Sequence, residues 1–425
     1  MKKIKTLTIL GLLMFTTINA WSQFTIDGEF RPRTEYRHGF GTLIAKDAEP
    51  GYGISTRARL NFGYKKDNYS FYMSLQDVLV WGENRQILPK DLNNSFAVFQ
   101  VWAQIDFNEN WNTKIGRQVL SYDDQRIMGG LDWAQQGRNH DAILIKHKKD
   151  GFLFDLGFAY NQDYDNISGF QSVGNTYNTK GFFSYKTMLY GYFKKTWNNF
   201  SGSLLLLNNG FQNFEEDRET QDGISNLQTF GTHLKYGKGK FGASSNLFLQ
   251  TGERQGAIEV SNAYLASLDL SYKISEKTGL GIGAEMISGN DKESGKTSAF
   301  FPLYGTNHKF NGFMDYFYVG NHANSIGLID LHASAKFKFS KKSELFAKLL
   351  YFSGEKALPS GDKSLGTELD LVYTHKFKGF LIKGGYSHMF PLDGMYELKG
   401  LEKDLAASTQ NWAWVMLVIK PKILN

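Results

Sequence analysis

Polar and apolar residues exchange places at every second position of this chain, in segments of about ten residues, and few folds accept that pattern. In "TIDGEFRPRTEYRH", residues 25–38, Asp27, Glu29, Arg31, Arg33, Glu35 and Arg37 share one parity while Ile26, Phe30 and Tyr36 share the other. Successive side chains of a strand point to opposite faces, so a strand here is charged on one side and apolar on the other. The alternation returns in "ISTRARLNFGY" from Ile54, "FLFDLGFAYN" from Phe152, "AYLASLDLSYKI" from Ala263 and "GLIDLHASAKFKF" from Gly327. Repeated this often, it argues a series of antiparallel strands.

The connections alternate as well. "KKDN" at Lys65, "NEN" at Asn108, "KDG" at Lys149, "GKGK" at Gly237, "SEKT" at Ser275 and "SKKS" at Ser340 are tight polar turns. Long loops lie between them, near residues 39–52, 82–94, 121–138, 162–180, 210–225, 290–325 and 391–408. Short turns on one rim, long loops on the other and roughly eighteen strands between describe a transmembrane antiparallel β-barrel of the outer-membrane type. A secreted sandwich or propeller shares the alternation but not the loop asymmetry. Phe62 with Tyr64, Tyr190 with Tyr192 and Trp412 with Trp414 fall toward strand ends, where an interfacial aromatic girdle is expected.

The first residues carry Lys2, Lys3 and Lys5, an apolar stretch from Leu7 to Phe15, and Ala20-Trp21-Ser22 as a cleavage pattern. This reads as a signal peptide over residues 1–22, leaving 23–425 as one all-β barrel domain in the outer membrane, with no room for a plug domain ahead of it. Removing three lysines takes the formal net charge from +6 to +3, which is no footprint for nucleic acid. With Cys 0, disulfides, a cysteine lipid anchor and thiolate zinc sites are excluded. Beyond the leader no run approaches the roughly eighteen apolar residues of a membrane helix.

A barrel of about eighteen strands is too wide for side chains to fill, so its lumen holds water and the charged parity faces it. The reverse orientation would cost about 2–4 kcal/mol for each arginine at the bilayer midplane. Symmetric pairing of the first hairpin sets Arg33 against Arg57 and Arg31 against Arg59. That patch is either a ladder neutralised by Glu29 and Glu35 or a pore-lining anion site, since guanidinium forks suit carboxylate and phosphate. Asp330, Glu368 and Asp370 share lumen parity and form an opposing acidic wall.

Two loops carry further signal. Residues 116–143 mix Asp123, Asp124, Arg126, Asp132, Arg138 and Asp141 with Trp133. Such a loop either enters the lumen as a constriction, with Arg126 and Arg138 paired to its own acids, or, more commonly, closes over the rim as a salt-bridged cap. Residues 300–322 are too aromatic for a free loop and are expected to pack on the rim or fold inward as a lid. Enzyme signatures are poor: there is no HExxH pair and no G-x-S-x-G elbow. His140 beside Asp141 is the sole hint of the alternative reading, a barrel hydrolase of lipase or protease type with a site at the extracellular rim. No cofactor is expected.

"GEFRPRTEYRHGF", "TRARLNFGY", "SLQDVLVWGE", "KIGRQVLSYDDQRIMGGLDWAQQGRNHDA" and "LYGTNHKFNGFMDYFYVGNH" together resemble the alginate-export family of outer-membrane proteins, in the form found in Bacteroidetes-type bacteria. The resemblance implies an eighteen-stranded barrel with an Arg-rich lumen that conducts an anionic polysaccharide. The expected function is therefore a diffusion channel for anionic or polar solutes, sugar acids or alginate-like oligo- and polysaccharides among them. Its partners would be outer-membrane lipid and that solute. The terminus "VIKPKILN" departs from the aromatic final residue usual in outer-membrane barrels.

Overall fold

The computed structural model describes residues 23–84, 95–161, 185–216, 221–290 and 295–424. The leader and most of the loops at 82–94 and 162–180 lie outside the described residues. Eighteen antiparallel strands, the shortest being Trp111–Gln118, form one closed sheet. The first, Phe24–His38, pairs with the second, Gly51–Lys66, and with the last, Gln410–Ile419, so no free edge remains. Two shorter pieces, Lys296–Thr297 and Lys422–Leu424, pair at its margins.

The alternation sorts the faces. Leu206, Leu247, Ile282, Leu331, Leu349 and Val415 are exposed on the outside, where lipid replaces water, while Glu29, Arg31, Arg33 and Glu35 are buried inside. Short turns such as Asp67–Asn68 and Asp150–Gly151 join strands at the rim where the first strand begins and the last one ends, and the long loops occupy the other. Phe24, Trp111, Trp197, Phe200, Phe241 and Phe339 stand exposed near the short-turn rim as an aromatic belt.

Two expectations are corrected. In the first hairpin Arg31 lies opposite Arg57 and Arg59 opposite Glu29, with Arg33 facing Ser55. The register is offset by two residues from symmetric pairing. Such a shift keeps every side chain on its face, and it exchanges one arginine–arginine opposition for an arginine–glutamate one. The second correction concerns Tyr190, Tyr192, Trp412 and Trp414, which point inward and are buried. Tyr122 packs on the tyrosines at 5.7 and 4.3 Å, and Trp133 on the tryptophans at 5.7 and 4.7 Å. Both belong to a loop that occupies the lumen, so an apolar inner face has something dry to meet.

Candidate functional site

That loop, residues 119–139, leaves the strand Trp111–Gln118 and descends into the barrel. Arg31 donates to the Asp132 carbonyl at 2.7 Å and to the Ala134 carbonyl at 3.1 Å, and Arg33 to the Trp133 carbonyl at 2.9 Å. Arg57 donates to Glu29 and to the Asp132 carboxylate, the latter at 2.8 Å. Glu35 accepts from Arg33 and Arg37, each at 3.0 Å. The neutralising ladder is therefore present, and the guanidinium N–H groups left over hold the loop by its carbonyls. Parity gathers the four arginines as expected, but the loop buries Arg31, Arg33 and Arg57. Arg59 lies 3.7 Å over the Phe99 ring, donates to Gln76 at 2.7 Å and has Asp132 at 3.6 Å.

The opposing wall holds a second loop, described from residue 295 to 327, through the opposite pole of the peptide group. Met314 N–H donates to Glu368 at 2.8 Å, Phe313 N–H to Asp370 at 3.3 Å, and the Asn311 amide to Asp330 at 3.1 Å. All three acids are buried. Gly312, at φ +88°, lets the backbone approach this closely, because a Cβ there would stand 2.5 Å from Glu368 Oε2. Gly312→Val is expected to dislodge the loop tip and raise single-channel conductance in planar bilayers, with the barrel still inserted. Unchanged conductance would mean that the tip does not narrow the passage.

The loops also brace each other. Arg126 spans to Glu285 on the wall at 2.7 and 2.8 Å and to Asn311 of the second loop at 2.9 Å. Gly129 N–H donates to the Tyr304 carbonyl and Thr306 N–H to the Gln125 carbonyl, both at 2.9 Å. Trp133 stacks on His308 at 4.3 Å. Arg126 and Arg138 thus do not pair with the loop's own acids. Asp123 accepts from Ser203 at 2.6 Å and Tyr192 at 2.8 Å, Asp124 accepts from Asn246 at 2.7 Å, and Arg138 donates to the Gly305 carbonyl at 3.2 Å. A segment crossing the lumen has wall on either side, so its polar groups are satisfied outward and the salt-bridged cap does not form.

The barrel interior works against the Asp132 charge, but Arg57, Arg31 and Arg59 outweigh it and hold this carboxyl below its ordinary value. For a depressed carboxylate the stabilising contact is present above the unfolded pKa and is lost only as pH falls through the lower, folded one. Loop anchoring at Asp132 therefore persists at neutral pH. The extracellular helix Asp393–Lys399 adds a strut, in which Lys399 donates to the Tyr316 carbonyl at 2.6 Å and burial brings its ammonium down to about 8.

Below the loops lies a feature that sequence reading missed. Lys114, Lys235 and Lys383 sit in the short-turn half of their strands and Lys348 at the middle of its own, opposite Asp370, all on the inward parity, and among the described residues none has a carboxylate within 4 Å. Lys114 has only the Trp102 ring, at 3.9 Å. The signal was legible as a lysine with an outward apolar residue on at least one side in "TKIG", "HLKYG", "FAKLL" and "LIKGG". Near the opposite rim two recesses of about 540 and 650 Å³ flank the first loop and meet at Val78, Val80 and Gln136.

A profile of the alginate export family matches residues 22–393. The chain belongs to the alginate export family. No significant match is found among curated proteins. By structure this family member is similar to OccAB4 of Acinetobacter baumannii, with 11% identity, a TM-score of 0.63, and coverage of 94% of this chain and 99% of that one. It is similar to the outer-membrane protein OpdK of Pseudomonas aeruginosa at 10% identity, TM-score 0.64, covering 94% and 99%. A BenF-like porin of Pseudomonas fluorescens Pf-5 gives 12%, 0.64, 94% and 99%. At such identities the likeness speaks for fold. With the family it establishes an outer-membrane, porin-like channel barrel. The hydrolase hint is not assembled: Asp141 takes both Arg117 contacts at 2.9 Å, and His140 Nδ1 lies 2.8 Å from the Tyr185 hydroxyl.

Proposed function

We propose that this family member passes acidic saccharides, sugar acids and their oligomers, across the outer membrane by diffusion, with the leader as its export signal. The inward lysines with no carboxylate within 4 Å among the described residues carry this reading. The mid-lumen arginines and acids are occupied with the loops, and among the described residues the cations left for a solute to meet include the collar of Lys114, Lys235, Lys348 and Lys383, against the acids Asp27 and Asp106, which are held only by Asn61 and Gln104. Inward ammonium groups, three of them half-buried and Lys235 exposed, lower the free energy of an anion in the passage and raise that of a cation. The docked loops narrow what is left of the lumen and set its size limit.

The test is the reversal potential in planar bilayers under a salt gradient. Wild type should prefer anions, and changing all four lysines to Gln should carry the permeability ratio several-fold toward unity without loss of insertion. Uronate oligomers added on the short-turn side should block wild-type current more than the quadruple variant's. An unchanged reversal potential would refute the collar as the selective element.

A further inference from the structure

The short-turn rim carries its charge almost entirely as lysine. The segments "YKKDN" at Tyr64, "KHKKDGF" at Lys146, "KKTWNNF" at Lys194, "YGKGKF" at Tyr236, "FKFSKKS" at Phe337 and "HKFKGF" at His375 contain no arginine, and their only acids are Asp67 and Asp150. Glu109 and Glu276 stand in the two remaining short turns. Aromatic residues accompany the lysines in every one of the six.

Four of these lysines fall on the parity that faces lipid. Lys66 continues the outward row of Leu60, Phe62 and Tyr64, Lys149 that of Ile143 and Ile145, Lys195 that of Leu189, and Lys238 that of Phe230 and Tyr236. Strand register then sets each against a ring: Lys66 against Tyr69, Lys149 and Lys195 against Phe152 from its two sides, and Lys238 against Phe241. The rings run on into the aromatic belt. Tyr64 lies 5.9 Å from Tyr69, His147 lies 6.1 Å from Phe152 and 4.4 Å from Trp111, and Tyr236 lies 6.2 Å from Phe241. Lys195 donates to the Asp150 carbonyl at 2.9 Å, and among the described residues none of the four has a carboxylate within 4 Å.

An aromatic belt marks headgroup depth in a bilayer. A lysine one step beyond it lays its apolar stem along the ring and holds its ammonium among the phosphates. Lys149 and Lys195 are two strand spacings apart, about 10 Å, so both act on the same headgroups before salt screens them. A soluble acidic partner docking along the barrel axis would meet the turn tips, whereas these four side chains stand on the outer circumference beside rings that lipid covers.

We propose that the short-turn rim is a binding surface for anionic phospholipid headgroups of the periplasmic leaflet, with Lys149, Phe152 and Lys195 at its centre and Lys66 and Lys238 as further contacts. It is independent of what the channel passes.

The test refolds the protein into phosphatidylcholine vesicles carrying equal proportions of brominated phosphatidylglycerol or brominated phosphatidylcholine. Trp111 and Trp197 are the tryptophans exposed at this rim among the described residues, and bromine quenches the indoles it touches. In wild type phosphatidylglycerol should quench several-fold more effectively. With Lys66, Lys149, Lys195 and Lys238 all changed to Gln the two lipids should quench alike, while heat-modifiable gel migration shows the barrel still inserted. The quadruple variant of the lumen lysines should keep the preference. Equal quenching in wild type, a preference that survives the four rim substitutions, or its loss in the lumen variant would overturn the proposal. A second readout needs no variant. Because surface ammonium groups are screened, the wild-type preference should shrink as salt is raised, and a preference indifferent to salt would also overturn it.

Discussion

Deleting residues 129–136 is expected to raise single-channel conductance several-fold and, at the same time, to make the channel more anion-selective. The excised segment carries the carbonyls that Arg31 and Arg33 hold, the Asp132 carboxylate that Arg57 holds, and Trp133, which sits 4.4 Å from the Arg33 guanidinium. Without it the lumen widens, one negative charge goes, and three buried guanidiniums meet water. The two effects separate this account from simple enlargement, which would weaken selectivity as the bore opens. Bilayer recordings of conductance and reversal potential decide it. Greater conductance with poorer anion preference would show that the arginines stay neutralised by Glu29 and Glu35 alone.

Arg126→Met should cost about 3–5 kcal/mol of folding stability, since it leaves the buried Glu285 carboxylate without its partner. Arg126→Met combined with Glu285→Met should recover most of that loss, because both desolvated charges then disappear together. Urea-dependent folding into lipid vesicles measures the difference. If the double variant is as impaired as the single one, the damage lies in the lost tie to Asn311 and not in the uncompensated acid.

Strand faces were legible because their cause is local: parity alone sends Phe30 and Tyr36 to lipid and Glu29, Arg31, Arg33 and Glu35 inward. Register was less so. The first hairpin is closed by the packing of its long connection, and nothing in residues 39–50 states where pairing stops. Trp412, Trp414, Tyr190 and Tyr192 misled for a different reason. Aromatic residues near strand ends suit an interface with lipid or a dry contact with another segment, and that segment, from 119 to 139, comes from far away in the chain. The inward course of the two loops was readable only as one of two outcomes, since their charges balance on paper either way. The lysine collar was visible in principle, but each of its members stands alone on its own strand and becomes a ring only on closure.

The two walls hold their loops mainly by peptide groups, arginines taking carbonyls on one side and acids taking amides on the other. Every residue except proline brings the same N–H and C=O, so this grip is largely indifferent to which side chains the loops display. Apart from Gly312 and the side-chain ties of Asp123, Asp124, Arg126 and Asp132, the loop residues that line the passage are open to substitution while the scaffold stays put. The barrel is in that sense a socket, and solute preference can be rewritten in the inserted segments without redesigning the wall that carries them.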